Sequence, residues 1–388
     1  MKNRSIGLQI GFTVIPILIS LAVAALMVMA FGRNPTEVFQ LVWQGAFNDP
    51  QRFAGVLNFW IPLMLCAMGL VITFTAGLWN IGVEGQITMG ALFSSGMALY
   101  INLPEPYTVL QIPLQVLLGA LGGALWALLV GVLKTRLGVH EIFGGVALNS
   151  IALVLAIHMI TGPWAPAEGS NAQSTAPFPP SNWLPTISDD FPVNLMYLII
   201  AAAVVVVIVL ALRGTRWGLN LKATGKNPRS ALLLGVPTQR TSLTAFMACG
   251  ALAGMAGAYR VLFTYQSMRP LASGGIGFLA LLVVLLVDNR ALLVPFVAFA
   301  FAAILAGSTR LKVALQLDQS LAGVLQGTLV LLVLLFSGLR TRIMERREAA
   351  ALLSTDSNIE TDFRTPSSPL VTDAVEMKAV NTEAPSFE

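Results

Sequence analysis

Long uncharged apolar stretches alternate with short polar joints along most of this chain. No Asp, Glu, Lys or Arg falls between Arg4 and Arg33, or between Asp190 and Arg213. A run of about 18 or more such residues is long enough to cross a bilayer as a helix. Ten apolar segments can be drawn, at 9–31, 57–77, 86–102, 112–133, 145–162, 194–212, 243–263, 276–287, 291–307 and 321–338. Hydrocarbon leaves every backbone N–H and C=O to be satisfied within its own segment, so helices are the spanning solution open to them. The pattern predicts an all-α, polytopic membrane bundle of about ten helices. The eighth segment is short for a span and is separated from the ninth by Asp288-Asn289-Arg290, which predicts a hairpin of short or tilted helices.

Composition agrees with the pattern. Charged residues make up 11% of the 388 and hydrophobic ones 56%, whereas a soluble domain carries about 25% charge. A water-soluble globular chain is thereby excluded. Cys66 and Cys249 both sit in apolar runs, with no disulfide framework and no metal-ligand spacing. Residues 348–388 have no apolar period and, from Ala349 onward, carry seven acids against two bases. They read as a disordered acidic tail, leaving 1–347 as the membrane domain.

Charge also predicts orientation. With the N-terminus inside and the segments alternating, fifteen Lys and Arg fall on the inner side before the tail is counted. Six fall outside or at outer helix ends: Arg33, Arg52, Arg260, Arg269, Arg310 and Lys312. Inner loops carry the excess of bases in membrane proteins, so the expectation is N-in and C-in. The connection 163–193 holds no base, falls outside, and reads from its prolines as an ordered or partly ordered loop. The net basic charge is accounted for by orientation and contact with the membrane surface, without nucleic acid.

Two polar segments carry candidate chemistry. In Gly77-Leu78-Trp79-Asn80-Ile81-Gly82-Val83-Glu84-Gly85-Gln86, glycines and hydrogen-bonding side chains interrupt the apolar sequence between one stretch and the next. A broken helix at membrane depth is tolerated where it faces protein or a water-filled cavity, and transporters place solute sites at such breaks. Glu84 is the single acid between Asp49 and Glu105. It is either a buried functional carboxylate, expensive inside a membrane, or a solvated acid in a hairpin turn. The second segment, Arg213 to Arg240, carries six bases and no acid. Within it Asn227-Pro228 is a helix-start signal, followed by Ala231, Leu232, Leu233 and Leu234 up to Gly235. This short apolar helix either docks on a soluble partner or lies on the anionic inner leaflet.

Small residues at Gly119 and Gly123, and at Gly250, Gly254 and Gly257, mark close helix contacts. His158, inside an apolar segment, is expected to be a satisfied core side chain. The phosphate-loop pattern is absent: Gly225-Lys226 is followed by Asn227 and lacks the leading glycine. No ATPase site of its own is expected.

Asn80-Ile81-Gly82-Val83-Glu84-Gly85-Gln86 with Gly90-Ala91-Leu92-Phe93 resembles the signature of bacterial nucleoside permeases. These belong to the ATP-binding cassette importers, in the branched-chain amino acid and simple sugar permease superfamily. Asn34-Pro35 leading to Gly45-Ala46-Phe47 looks like the family's first outer segment, and His140-Glu141-Ile142 with Asn149-Ser150-Ile151-Ala152 is similar to its fifth-helix entry. Ala223-Thr224-Gly225-Lys226-Asn227-Pro228, with Ala231 and Gly235-Val236, resembles its cytoplasmic coupling loop; Gly275 to Ala280 resembles its late hairpin. Over residues 5–345 the resemblance implies a multi-pass permease subunit of a bacterial inner membrane, importing a nucleoside or related sugar. It implies a pathway at Asn80, Glu84, Gln86 and Asn149, and a coupling loop at Gly225, Asn227, Pro228, Ala231, Leu232, Leu233 and Gly235. The implied partners are a second permease, ATPase subunits that use ATP and Mg, and an extracytoplasmic solute-binding protein; this chain itself needs no cofactor. Three rivals stand beside it: an ion-coupled secondary carrier with Glu84 as coupling carboxylate, a receptor or scaffold using the acidic tail, and a superfamily permease for branched-chain amino acids or sugars.

Overall fold

The computed structural model describes residues 32–166 and 173–315, with isolated positions in 22–29 and 331–342. Every described element of regular structure is helical, and all that follows concerns the compact unit Ile19–Leu331. The expected segments 9–31 and 321–338 lie largely, and the acidic tail wholly, outside the described residues.

The helices run α1 Pro35–Phe47, α2 Pro50–Thr75, α3 Val83–Tyr100, α4 Gln111–Leu137, α5 Glu141–Thr161 and α6 Leu195–Gly214. After them come α7 Arg216–Lys226, α8 Pro228–Leu233, α9 Thr238–Tyr259, α10 Ile276–Leu286 and α11 Val294–Leu315. Five stretches are long and apolar enough to span a membrane: Pro50–Thr75, Tyr107–Leu137, Glu141–Thr161, Leu195–Gly214 and Thr238–Tyr265. Ile276–Leu286 and Val294–Thr309 are shorter apolar helices, as the Asp288-Asn289-Arg290 joint predicts. Asp288 and Asn289 both take positive φ, 51° and 59°, which turns the chain sharply between them.

The centre of the bundle is built on small residues. Helices α3, α4 and α9 meet backbone to backbone: a Cβ on Gly123 would strike Gly250 O, one on Gly254 would strike Gly119 O, and one on Gly257 would strike Ile87 O. Gly90 packs against Gly254 in the same way. Lipid gives no hydrophobic drive between helices, so close van der Waals contact through such residues is what associates them. The spacings at 119/123 and 250/254 thus meet each other across one interface.

Helix α1 was not among the expected segments. Its start is written in Asn34-Pro35: the Asn34 side chain accepts from Thr36 N at 3.1 Å, and Pro35 occupies the first turn. It packs on α11 through Gly45 against Gly307, beside a cluster of Ala46, Val56, Ala302, Ala303 and Ala306. His158 corrects the expectation of a core histidine: it is exposed on α5. The loop expected at 163–193 does contain ordered backbone. Thr175, Phe178 and Leu184 donate backbone N–H groups to Met268, Gln266 and Leu262. Buried Asn182 donates to Ala98 O at 2.9 Å and accepts from Gln115 at 2.8 Å, fixing the loop over α3 and α4.

Candidate functional site

Helix α2 ends at Thr75, and the chain crosses from there to Val83 without helix. Gly77 makes the exit with φ +71°. The polar side chains of this break are turned inward. Asn80 and Gln86 are fully buried and exchange two amide hydrogen bonds, Asn80 Nδ2 to Gln86 Oε1 at 3.0 Å and Gln86 Nε2 to Asn80 Oδ1 at 2.8 Å. Asn80 Nδ2 also lies 3.1 Å from Cys249 Sγ. Cys249 is roughly 16 Å along α9 from Thr238 at 1.5 Å per residue, so this pair sits well inside the bundle.

Asn149, half-buried on α5, closes the other side of the break. Its Oδ1 accepts from Gly85 N at 2.7 Å, and its Nδ2 donates to Ile81 O at 3.0 Å. One side chain thus satisfies a carbonyl before α3 and an N–H of its first turn, groups that a broken helix leaves without internal partners. Gly145 packs on Gly82, where a Cβ would lie 2.7 Å from Gly82 N.

Glu84 is buried, 8% exposed, which removes the solvated-turn alternative. Its Oε1 accepts from Phe278 N at 3.0 Å. Gly277 and Phe278 open α10, so Glu84 caps the N-terminus of a helix almost two hundred residues away in sequence. The arrangement is favourable twice over: an orphan N–H gains an acceptor, and a carboxylate meets the positive end of the helix dipole. A Cβ on Gly277 would lie 2.9 Å from Glu84 Oε1, which is why glycine stands there. Sequence reasoning singled out Glu84 but not its partner, because the two ends belong to separate apolar segments.

The basic loop folds as two helices. Asn227 caps α8, its Oδ1 accepting from Arg229 N and Ser230 N, each at 3.1 Å. Pro228 starts the helix, Ala231 is buried beneath it, and Gly235 leaves it with φ +82°. Leu232, Leu233 and Leu234 are 62%, 89% and 83% exposed. Behind α8, Gly225 meets the break directly: a Cβ on Gly77 would lie 3.1 Å from Gly225 Cα, and one on Gly225 would strike Thr75 O. A groove of about 490 Å³ opens at this junction, lined among others by Gly77, Leu78, Lys134, Glu141, Thr224 and Leu232. Lys134 and Glu141 pair across it at 2.6 Å, tying the end of α4 to the start of α5.

The geometry therefore joins the residues in two groups. Asn80, Glu84, Gln86 and Asn149 brace the break between α2 and α3; Gly225 to Gly235 form a loop whose backbone touches that break. The described residues hold no cluster of three or more His, Cys, Asp or Glu able to bind a metal ion. Arg260, counted among the outer bases, is buried at 5% exposure and points into the bundle.

Comparison with known proteins places residues 52–334 on the family described as branched-chain amino acid transport system / permease component. The chain is 27% identical over 336 residues to a glucose ABC transporter permease protein of Haloferax volcanii, covering 84% of this chain and 87% of that protein. It is 28% identical over 303 residues to a nucleoside ABC transporter permease protein of Lactococcus lactis, covering 76% and 82%. A guanosine ABC transporter permease protein of Bacillus subtilis is 27% identical over 285 residues, covering 71% and 79%. No solved structure matches the chain.

Proposed function

The chain belongs to the branched-chain amino acid transport system permease family, and from that premise we propose that it is one transmembrane subunit of an ATP-driven importer for nucleosides. It is a multi-pass membrane protein of ABC-permease type. The proposal adds what drives it and what it carries. ATPase subunits using ATP and Mg dock on the α7–α8 loop from the cytoplasm; a second permease completes the path, and an extracytoplasmic binding protein delivers solute to the outer face. The membrane is the bacterial inner membrane, the subunit crosses it with about ten helices, and both chain ends lie inside.

One observation carries the coupling reading: Gly225 and Gly77 touch through backbone, with no side chain between them. A displacement of α8 by a partner is passed to the break between α2 and α3 without loss in flexible side chains. The partner's two states bias the permease only through their different affinity for the positions of that loop. The nucleoside reading is supported by two relatives whose names give a nucleoside and guanosine, beside one whose name gives glucose. Uptake into vesicles by the reconstituted complex, with adenosine, guanosine, uridine, glucose and leucine as a panel, tests it. ATP-dependent uptake of nucleosides above glucose and leucine is the expected result. Saturable glucose uptake without nucleoside uptake replaces the solute, and uptake without any ATPase subunit replaces the mechanism by a secondary carrier.

A further inference from the structure

Helix α10 is held at both ends by the broken element. At its start Glu84, just after the break, takes the Phe278 N–H; at its end Asn289 Nδ2 reaches Thr75 Oγ1 at 3.3 Å, just before the break. A helix of 11 residues, roughly 16 Å long at 1.5 Å per residue, thus bridges the gap that Gly77 opens. The strap leading into it is also held by Arg260. That side chain ends α9, where the chain continues as a π-helical turn, Arg260–Tyr265, a departure frequent at functional sites. Its Nε donates to Ala272 O at 3.2 Å and its Nη2 donates to the Tyr265 hydroxyl. The guanidinium lies 4.6 Å from the Tyr265 ring centroid and 5.7 Å from that of Phe59. Gly274 and Gly275, with φ +59° and +79°, carry the strap between the two grips, and a Cβ on Gly274 would lie 3.0 Å from Arg260 Nη2.

We infer that Arg260 and Glu84 act as one clamp on residues 272–278, which makes α10 the element that moves with the break when α8 is displaced. The inference rests on the importer reading for its functional consequence. Both side chains are buried, and each holds backbone of the same strap, Arg260 at Ala272 O and Glu84 at Phe278 N. Releasing either grip frees the strap, so a second release adds little to the first. The two are therefore positioning residues, acting on solute only through α10.

The test is a double-mutant cycle in the complete importer, reconstituted with its ATPase and binding-protein partners, using labelled adenosine and uridine as probes. Glu84→Gln and Arg260→Met are each expected to lower the maximal uptake rate by about tenfold with the half-saturating concentration unchanged. The double variant is expected within about threefold of either single variant, since residues acting on one element are non-additive. Each single variant should retain basal ATP hydrolysis and lose its stimulation by solute, whereas a general folding defect lowers both together. Losses that multiply in the double variant, single variants at the wild-type rate, or a changed ranking of adenosine against uridine each overturn the clamp. The same cycle read as the thermal midpoint of the purified complex keeps the two readings apart. Non-additive midpoints in a complex whose wild type imports no nucleoside support the clamp and remove the solute; additive midpoints remove the clamp.

Discussion

Asn80 and Gln86 illustrate what a buried amide does when it is satisfied. Each gives the other a donor and an acceptor, and neither has exposed surface. Replacing Gln86 by Leu leaves Asn80 Oδ1 without a donor and Nδ2 with only Cys249 Sγ, and a buried polar group without a partner costs about 1–3 kcal/mol. A fall in the thermal midpoint of the purified protein is the expected result, with the order of solute preference retained. A reordered preference would show instead that Gln86 meets solute. Gly254 is the complementary case, because no atom can be added there. Gly254→Val drives two methyls into Gly119 O and the neighbouring backbone, and overpacking typically costs about 1–3 kcal/mol. Lower yield of folded protein by size-exclusion chromatography checks it, with Gly235→Ala, a strained but uncrowded site, as the milder comparison.

At the scale of elements, the leucines of α8 are the informative feature. Asn227, Pro228 and Gly235 shape the helix so that Ala231 faces the bundle while Leu232 and Leu233 face outward. Burying each in a partner groove contributes about 1.5–3 kcal/mol. Leu233→Asp, at the most exposed of these positions, should leave membrane insertion and thermal midpoint unchanged while reducing ATP-coupled uptake by tenfold or more, about 1.4 kcal/mol in coupling. Normal coupled uptake in this variant would place the helix on the lipid surface. Gly225→Ala probes the next link. Its Cβ meets Thr75 O, so uptake should fall although every α8 side chain is intact.

For the whole molecule, the orientation inferred from charge is open to direct measurement. The two native cysteines are buried, so a new surface thiol is read against a low background. Ser188→Cys, exposed in the 163–193 connection, should react with a membrane-impermeant thiol reagent in intact cells. Labelling only after the membrane is opened would invert the topology and move the α7–α8 loop to the opposite side. Turning Arg260 inward subtracts one base from the outer side, so the asymmetry behind the assignment grows.

The local features of this protein are determined by short-range chemistry and were legible in its residues. Apolar runs gave the helices between 57 and 307, a charge-bearing joint gave the α10–α11 hairpin, Asn227-Pro228 gave α8, and the glycine spacings gave faces able to approach closely. Helix α1 was written in Asn34-Pro35 just as plainly, but its apolar run is too short to stand out by hydropathy. What tertiary structure alone decided is pairing across distance. Glu84 could be marked as costly in a membrane, yet nothing near it in sequence tells that its acceptor oxygen ends on the N–H of Phe278. Arg260 looked like an outer base because charge counting sees position along a segment and not the direction of a side chain. The reason is physical: a helix satisfies its interior backbone locally, so its existence follows from its own residues, while its ends and buried charges must find partners elsewhere. Those partners are set by which helices the small-residue contacts bring together.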